Sequence, residues 1–179
     1  MALAKQNFSS LVEEGINHQI SLEMAAAQNY RAISAFLGSD TVALPGLEKY
    51  FREQAEEEQK HAQYLIEYQN RRGGTVVIQT IPAPSSDWTS AKNAVESALQ
   101  LEKDMNKNLL RMESTAEEQN DVQFASELRT FFLKEQVDSV ATFSKLITQL
   151  NRVGGDGLGL QLLDQTILTQ GIHAAIGSD

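Results

Sequence analysis

Residues 73–87 read GGTVVIQTIPAPSSD. The stretch is rich in β-branched residues, holds two of the chain's three prolines and shows no helical period. Extended at ~3.3 Å per residue, its 15 residues reach about 50 Å. Residues 45–72, just before it, are dense in helix formers and would make a rod about 42 Å long at a rise of 1.5 Å per residue. The stretch can therefore run back along a whole helix and start the next helix parallel to the last. The other connections are short, which implies antiparallel neighbours.

Working outward, the punctuation predicts five helices. The first covers 10–37, opened by Ser10 with Glu13 as a capping box and stopped by Gly38. The second covers 45–72, with Pro45 in its first turn and Arg71 and Arg72 at the negative end of its dipole. The crossover 73–87 follows. The third helix covers 88–119, with Asp87 as its cap, and the fourth covers 121–152, before Gly154 and Gly155. A short fifth helix covers 158–176. This is an all-α chain, one domain over 1–179. It reads as a four-helix bundle with one long crossover between its second and third helices and a short C-terminal fifth helix.

Composition narrows the function. With 179 residues and 41% hydrophobic content the chain can bury a core. It has no cysteine, which excludes a disulfide framework, a thiol nucleophile and a sulfur-ligated metal. A net charge of −9 disfavours nucleic acid and anionic membrane as partners and suits cations. No window of ~20 residues is free of polar groups, so no membrane-spanning helix is expected. The opening MALAKQNFSS reads as neither a signal nor a complete transit peptide. That points to the cytoplasm, or to a plastid if a transit peptide has been removed.

Bundle helices bury stripes with alternating spacings of three and four. The stripes read Ile16, Ile20, Glu23, Ala27, Tyr30, Ser34; then Leu47, Phe51, Gln54, Glu58, His61, Leu65, Tyr68; then Ala91, Val95, Ala98, Glu102, Met105, Leu109; then Phe132, Gln136, Ser139, Phe143, Leu146, Leu150. Each is interrupted near its middle by polar residues: Glu23, then Glu58 with His61, then Glu102, then Gln136. Three buried carboxylates without a counter-charge would repel and resist ionising. A divalent cation resolves the conflict, and oxygen ligands with one imidazole suit iron or manganese. A face shifted by one position, through Leu22, Met24 and Leu101, would instead leave the glutamates in solvent.

The stretches ISLEMAAAQNY (20–30), YFREQAEEEQKHAQYLIEYQNRRGG (50–74), IPAPSSDW (81–88), ALQLEKDMNKNLL (98–110) and FFLKEQVDSVATF (131–143) carry a family resemblance. Over residues 8–168 the chain resembles the ferritins, specifically the catalytic H-type subunit of animals, plants and algae. The resemblance implies a ferritin-like bundle and a 24-mer octahedral cage with iron stored inside as ferric oxyhydroxide. It further implies ferroxidase activity, the oxidation of Fe(II) by O2 at a di-iron centre within each subunit. Glu23, Glu58 and His61 match ligands of a first iron. Glu58 would bridge to a second iron held by Glu102, with Gln136 beside it. Tyr30 matches the tyrosine next to the centre. Glu57 and Glu135 match a weaker third site towards the cavity. No haem is implied, since the four methionines read as core.

The chain also departs from that family's pattern. Only one E-x-x-H is present, so a symmetric two-histidine centre is not expected. Ser126 and Arg129 stand where animal H chains line the three-fold channel with acids. A ring of arginines would repel Fe(II), unless Arg129 folds away to Glu127 or Glu113; both remain open at this point. Lys60 and Gln63 thin the acidic face beyond Glu57. His18 and His173 read as surface or interface residues, and Trp88 as packing on the crossover. Two other functions stay in view: a non-catalytic L-like cage subunit, and a di-iron oxidase that detoxifies rather than stores.

Overall fold

The computed structural model describes residues 3–177. Its helices are α1 (Ser10–Leu37), α2 (Pro45–Arg71), α3 (Ala91–Glu118), α4 (Val122–Glu127), α5 (Leu133–Val153), α6 (Leu158–Gln170) and α7 (Ile172–Ile176). A π turn over Leu128–Phe132 joins α4 to α5. These two helices and the turn form the fourth rod of the bundle.

The crossover traverses the length of α1. Near one end, Asn17 donates to the Thr75 carbonyl and accepts from Val77 N–H, both at 2.9 Å. At the other, the Trp88 ring lies 5.8 Å from Phe36, one residue before α1 ends. Hence α3 starts at the end where α2 started, and the two run parallel. Among the described residues, the helices form an all-α four-helix bundle with one long crossover and a C-terminal helical segment packed on one end.

Several local expectations are corrected. Ser9, not Ser10, caps α1, accepting from Val12 N–H at 3.3 Å. Glu13 is drawn away from a capping box by Lys5 and by Thr75 N–H, which donates to it at 2.6 Å. The second helix stops at Arg71, because Arg72 turns towards Asp121. α3 starts at Ala91, with Ser90 as its cap instead of Asp87. Trp88 precedes the helix and sits on α1's end, where its indole donates to Ser97 at 2.9 Å. The predicted single rod 121–152 is interrupted by the π turn, and 158–176 is broken at Gly171, whose φ of 88° ends α6.

The apolar stripes meet as expected, and they form two cores. One joins Tyr30, Leu37, Leu47, Phe51, Val95, Phe143 and Leu146, with α6 and α7 packed on it. The other joins Ile16, Ile20, Leu65, Leu109, Phe124 and Leu128. Leu22, Met24 and Leu101 are only partly buried, so the stripe phase is not shifted. The polar interruptions therefore lie in a layer between two apolar halves.

Asp164 gives α6 a fixed seat. Leu44 provides no side-chain cap for α2. Buried Asp164 supplies it from α6, accepting from Gly46 N–H at 3.0 Å and Leu47 N–H at 2.8 Å. Gly46 is required there, because a Cβ would stand 2.1 Å from the Asp164 carbonyl oxygen. Asp164→Ala leaves two buried donors unpaired and is expected to cost about 3 kcal/mol. It should lower the thermal midpoint and admit protease at residues 154–159. Unchanged cleavage would contradict this account of the docking. Among the described residues, no helix is long and apolar enough to cross a membrane.

Candidate metal centre

Each rod brings one part of the site. Glu23 comes from α1, Glu58 and His61 from α2, Glu102 from α3, and Glu135 and Gln136 from α5, just after the π turn. With Phe132 and Ser139 they line one small enclosed chamber. Glu58 and His61 are one turn apart, which aims carboxylate and imidazole the same way.

Glu23, Glu58 and His61 offer ligand atoms that all lie within 4.8 Å of one another. His61 Nδ1 is 3.3 Å from Glu58 Oε2 and 3.9 Å from Glu23 Oε2. Its other nitrogen, Nε2, is 3.2 Å from Glu135 Oε2. Glu57, His61 and Glu135 form a second such group towards the exposed side. Glu102 is in the same chamber but its oxygens are engaged: Tyr30 donates to one and Gln136 to the other. Gln136 also donates to the Glu102 carbonyl at 3.0 Å.

The electrostatics follow from burial. Glu23 is held well above the usual carboxylate range, first by burial and then by the charge of Glu58. Burial and Glu58 push Glu102 up to about 7, against the hydrogen bonds from Tyr30 and Gln136 that favour its ionised form. Tyr30 is raised far above the phenol range by burial and then by Glu102. Burial alone would lower His61. Hydrogen bonds to Glu135 and Glu58, with the charges of Glu58 and Glu23, reverse that and raise it to about 11. The carboxylates around His61 thus favour positive charge at this place. The donor set is hard oxygen with one nitrogen, which fits iron.

Some supporting groups carry no conspicuous sequence signal. Gln19, fully buried one turn before Glu23, donates to it at 2.7 Å and accepts from Asn108 at 2.5 Å. Phe131 and Phe132 stand edge-on to His61, with centroids 5.7 and 5.8 Å away. Only Gln19 could have been anticipated, as a polar residue at i−4 on a buried stripe. Arg129 pairs with Glu113 and Glu117 of α3, while Glu127 instead accepts from Tyr64. Of the two expected partners, Glu113 is correct and Glu127 is not. His18 and His173 are exposed and take no part in the chamber.

Residues 13–153 match the Ferritin-like domain family. The chain belongs to the ferritin family. It is 42% identical over 167 residues to the soma ferritin of Lymnaea stagnalis, covering 93% of this chain and 95% of that one. It is 40% identical to the ferritin heavy chain of Echinococcus granulosus, covering 96% of this chain and 99% of the relative. A chloroplastic ferritin-2 of Vigna unguiculata is 42% identical, covering 97% of this chain and 71% of its own length. Likeness to a chloroplastic ferritin is thus as strong as likeness to soma ferritin, and favours neither compartment. As a ferritin the chain falls among iron-storage proteins, and its carboxylate and histidine group brings together donors that can hold a metal ion.

Proposed function

We propose that this ferritin is a catalytic subunit of an iron store. It takes Fe(II) as substrate, oxidises it with O2 at a two-iron centre in the chamber, and keeps the ferric oxyhydroxide product inside a 24-mer cage. The observation that carries this reading is the layer of three buried glutamates and one histidine between two apolar cores. Such a layer is costly unless a cation completes it.

The chain's own groups divide the work. Glu23, Glu58 and His61 would hold the first iron, with Glu58 shared to a second held by Glu102. Gln136 and Tyr30 donate to Glu102 and so fix its orientation. Glu57 and Glu135 extend the donor set from His61 to the exposed side, a path by which product can leave. Hard carboxylates favour Fe(III) over Fe(II) and make the oxidation downhill. Two Fe(II) supply two electrons to one O2, avoiding release of superoxide. Leu11, Leu110, Val122, Val137, Leu158 and Leu162 are exposed in the single chain and are available for contacts between copies. The exposed Arg129 is neutralised within its own subunit by Glu113 and Glu117, so a three-fold arrangement of it would not be a bare cationic ring.

The direct test is anaerobic Fe(II) loading followed by rapid mixing with O2. Fast oxidation that saturates near two irons per chain is expected. Slow oxidation without saturation would make the chain an L-like cage subunit. The cage is tested by light scattering, with about 475 kDa expected for 24 copies of a 19.8 kDa chain.

Metal binding should also depend on pH. A metal at His61 must displace the proton held there up to about 11, and one at Glu102 competes with a proton held up to about 7. Both protons are bound more weakly as pH rises. Zn(II), a probe without redox chemistry, is therefore expected to bind about tenfold tighter or more for each unit between pH 6 and 8. Calorimetric titration in buffers of different ionisation enthalpy reads the released protons. Binding independent of pH would place the metal elsewhere.

A further inference from the structure

A second tyrosine is connected to the chamber, and it carries its own proton acceptor. Tyr64 lies on α2, one turn beyond His61. Its ring stacks on Phe131, with centroids 5.2 Å apart and planes inclined by 22°, and meets Phe132 at 5.9 Å. Those two phenylalanines are the rings that stand edge-on to His61. Two short aromatic routes therefore run from the histidine to Tyr64, both through residues of the π turn. The Tyr64 hydroxyl donates to the Glu127 carboxylate. The Arg71 guanidinium lies 5.9 Å from the centre of the same ring. A cation beside the ring opposes a positively charged ring radical, so electron loss must be accompanied by proton loss. Glu127 is placed to take that proton.

We propose that Tyr64 is a redox-active tyrosine. It delivers one electron to the iron chamber through Phe131 and Phe132 while its phenolic proton passes to Glu127. The inference rests on the reading that Fe(II) binds among Glu23, Glu58, His61 and Glu102. The reaction served is the one-electron chemistry that follows when Fe(II) meets hydrogen peroxide, the two-electron product of O2 reduction. There the peroxide O–O bond breaks. Fe(II) is oxidised to Fe(III), one oxygen leaves as hydroxide and the other as hydroxyl radical. Tyr64 reduces that radical, its O–H bond breaks, and the proton lost to Glu127 ends on water. In sum, Fe(II), hydrogen peroxide and tyrosine give Fe(III), hydroxide, water and a neutral tyrosyl radical. Tyr64 is half-buried, whereas Tyr30 is fully buried, so a mild reductant in solution can regenerate it.

The experiment loads the assembled protein anaerobically with one Fe(II) per chain, mixes it with hydrogen peroxide, freezes it rapidly and records the paramagnetic resonance spectrum. A parallel arm mixes two Fe(II) per chain with O2 and follows ferric absorbance. A tyrosyl radical is expected in wild type and should be lost in Tyr64→Phe. In Glu127→Gln, which keeps the shape but removes the strong base, its formation should slow by about 100-fold. Circular dichroism verifies that both variants fold. A radical that persists in Tyr64→Phe, or is absent from wild type while iron oxidises, overturns the proposal. Failure of the O2 arm alone overturns the ferroxidase reading and leaves a Tyr64 radical standing. Failure of Fe(II) to bind overturns both.

Discussion

Replacing Glu58 with alanine is expected to lower rapid Fe(II) oxidation by ~100-fold or more, beyond the usual cost of losing a group that merely supports a metal ligand. Glu58 lies within ligand distance of both Glu23 and His61, and its charge is a leading cause of the raised Glu23 and Glu102. Its removal takes away a donor and the group proposed to join the two irons. It also relieves the repulsion felt by Glu23 and Glu102, while taking from His61 one of the carboxylates that favour its charged form, so the two effects on the metal-free protein oppose each other. Loss of activity with little change in thermal stability is therefore the diagnostic combination. Glu102→Ala should show the same loss of activity. Oxidation that continues at the wild-type rate in either variant would place the chemistry outside the chamber.

The second large effect concerns stability alone. Asp121→Ala is expected to cost about 3–5 kcal/mol, because it leaves a guanidinium without its buried partner. Asp121 is fully buried and meets Arg72 through two hydrogen bonds of 3.0 and 2.9 Å. It also caps α4, accepting from Phe124 N–H at 3.1 Å. Arg72 in turn donates to the Asn7 carbonyl at 2.8 Å and lies 4.7 Å from the Phe8 ring centroid. One carboxylate thus ties the end of α2, the start of α4 and the N-terminal segment together. The thermal midpoint should fall by about 10 °C. Asp121→Asn, which can still cap, should lose less. Equal stability of Asp121→Ala and wild type would show that the pair adds nothing.

The bundle was legible because its signals are long-range and redundant. Three-and-four spacing sets the stripe phase over many turns, so Glu23, Glu58 and Glu102 could be placed inside from the apolar residues around them. The crossover was legible through its length. What escaped were choices made by single tertiary contacts. Ser9 and Ser10 are adjacent cap residues, and the decision falls to Glu13, which the crossover recruits. The role of Asp164 could not be read locally, because its partners lie 118 and 117 positions away. Glu127, two positions before Arg129, and Glu113, on the preceding helix, had equal claims on it. Tyr64 takes Glu127, leaving Arg129 to Glu113 and to Glu117, one helical turn further on.

The π turn did leave a trace. Phe124, Leu128, Phe132 and Gln136 are all buried and are spaced by three successive fours. On a regular helix, twelve residues overshoot three turns by about 120° and would carry Gln136 off the inner face. The widened turn, closed by Leu133 N–H on the Leu128 carbonyl, absorbs the excess. The fourth rod thus winds as a regular helix with one extra residue taken up at the π turn. Deleting a single exposed position within it, such as Thr130, would restore regular winding and keep both flanking segments in phase. The same deletion a few residues later would rotate everything upstream against everything downstream. The π turn is thus a place where this rod can absorb a change of length, and it lies immediately beside the carboxylate chamber.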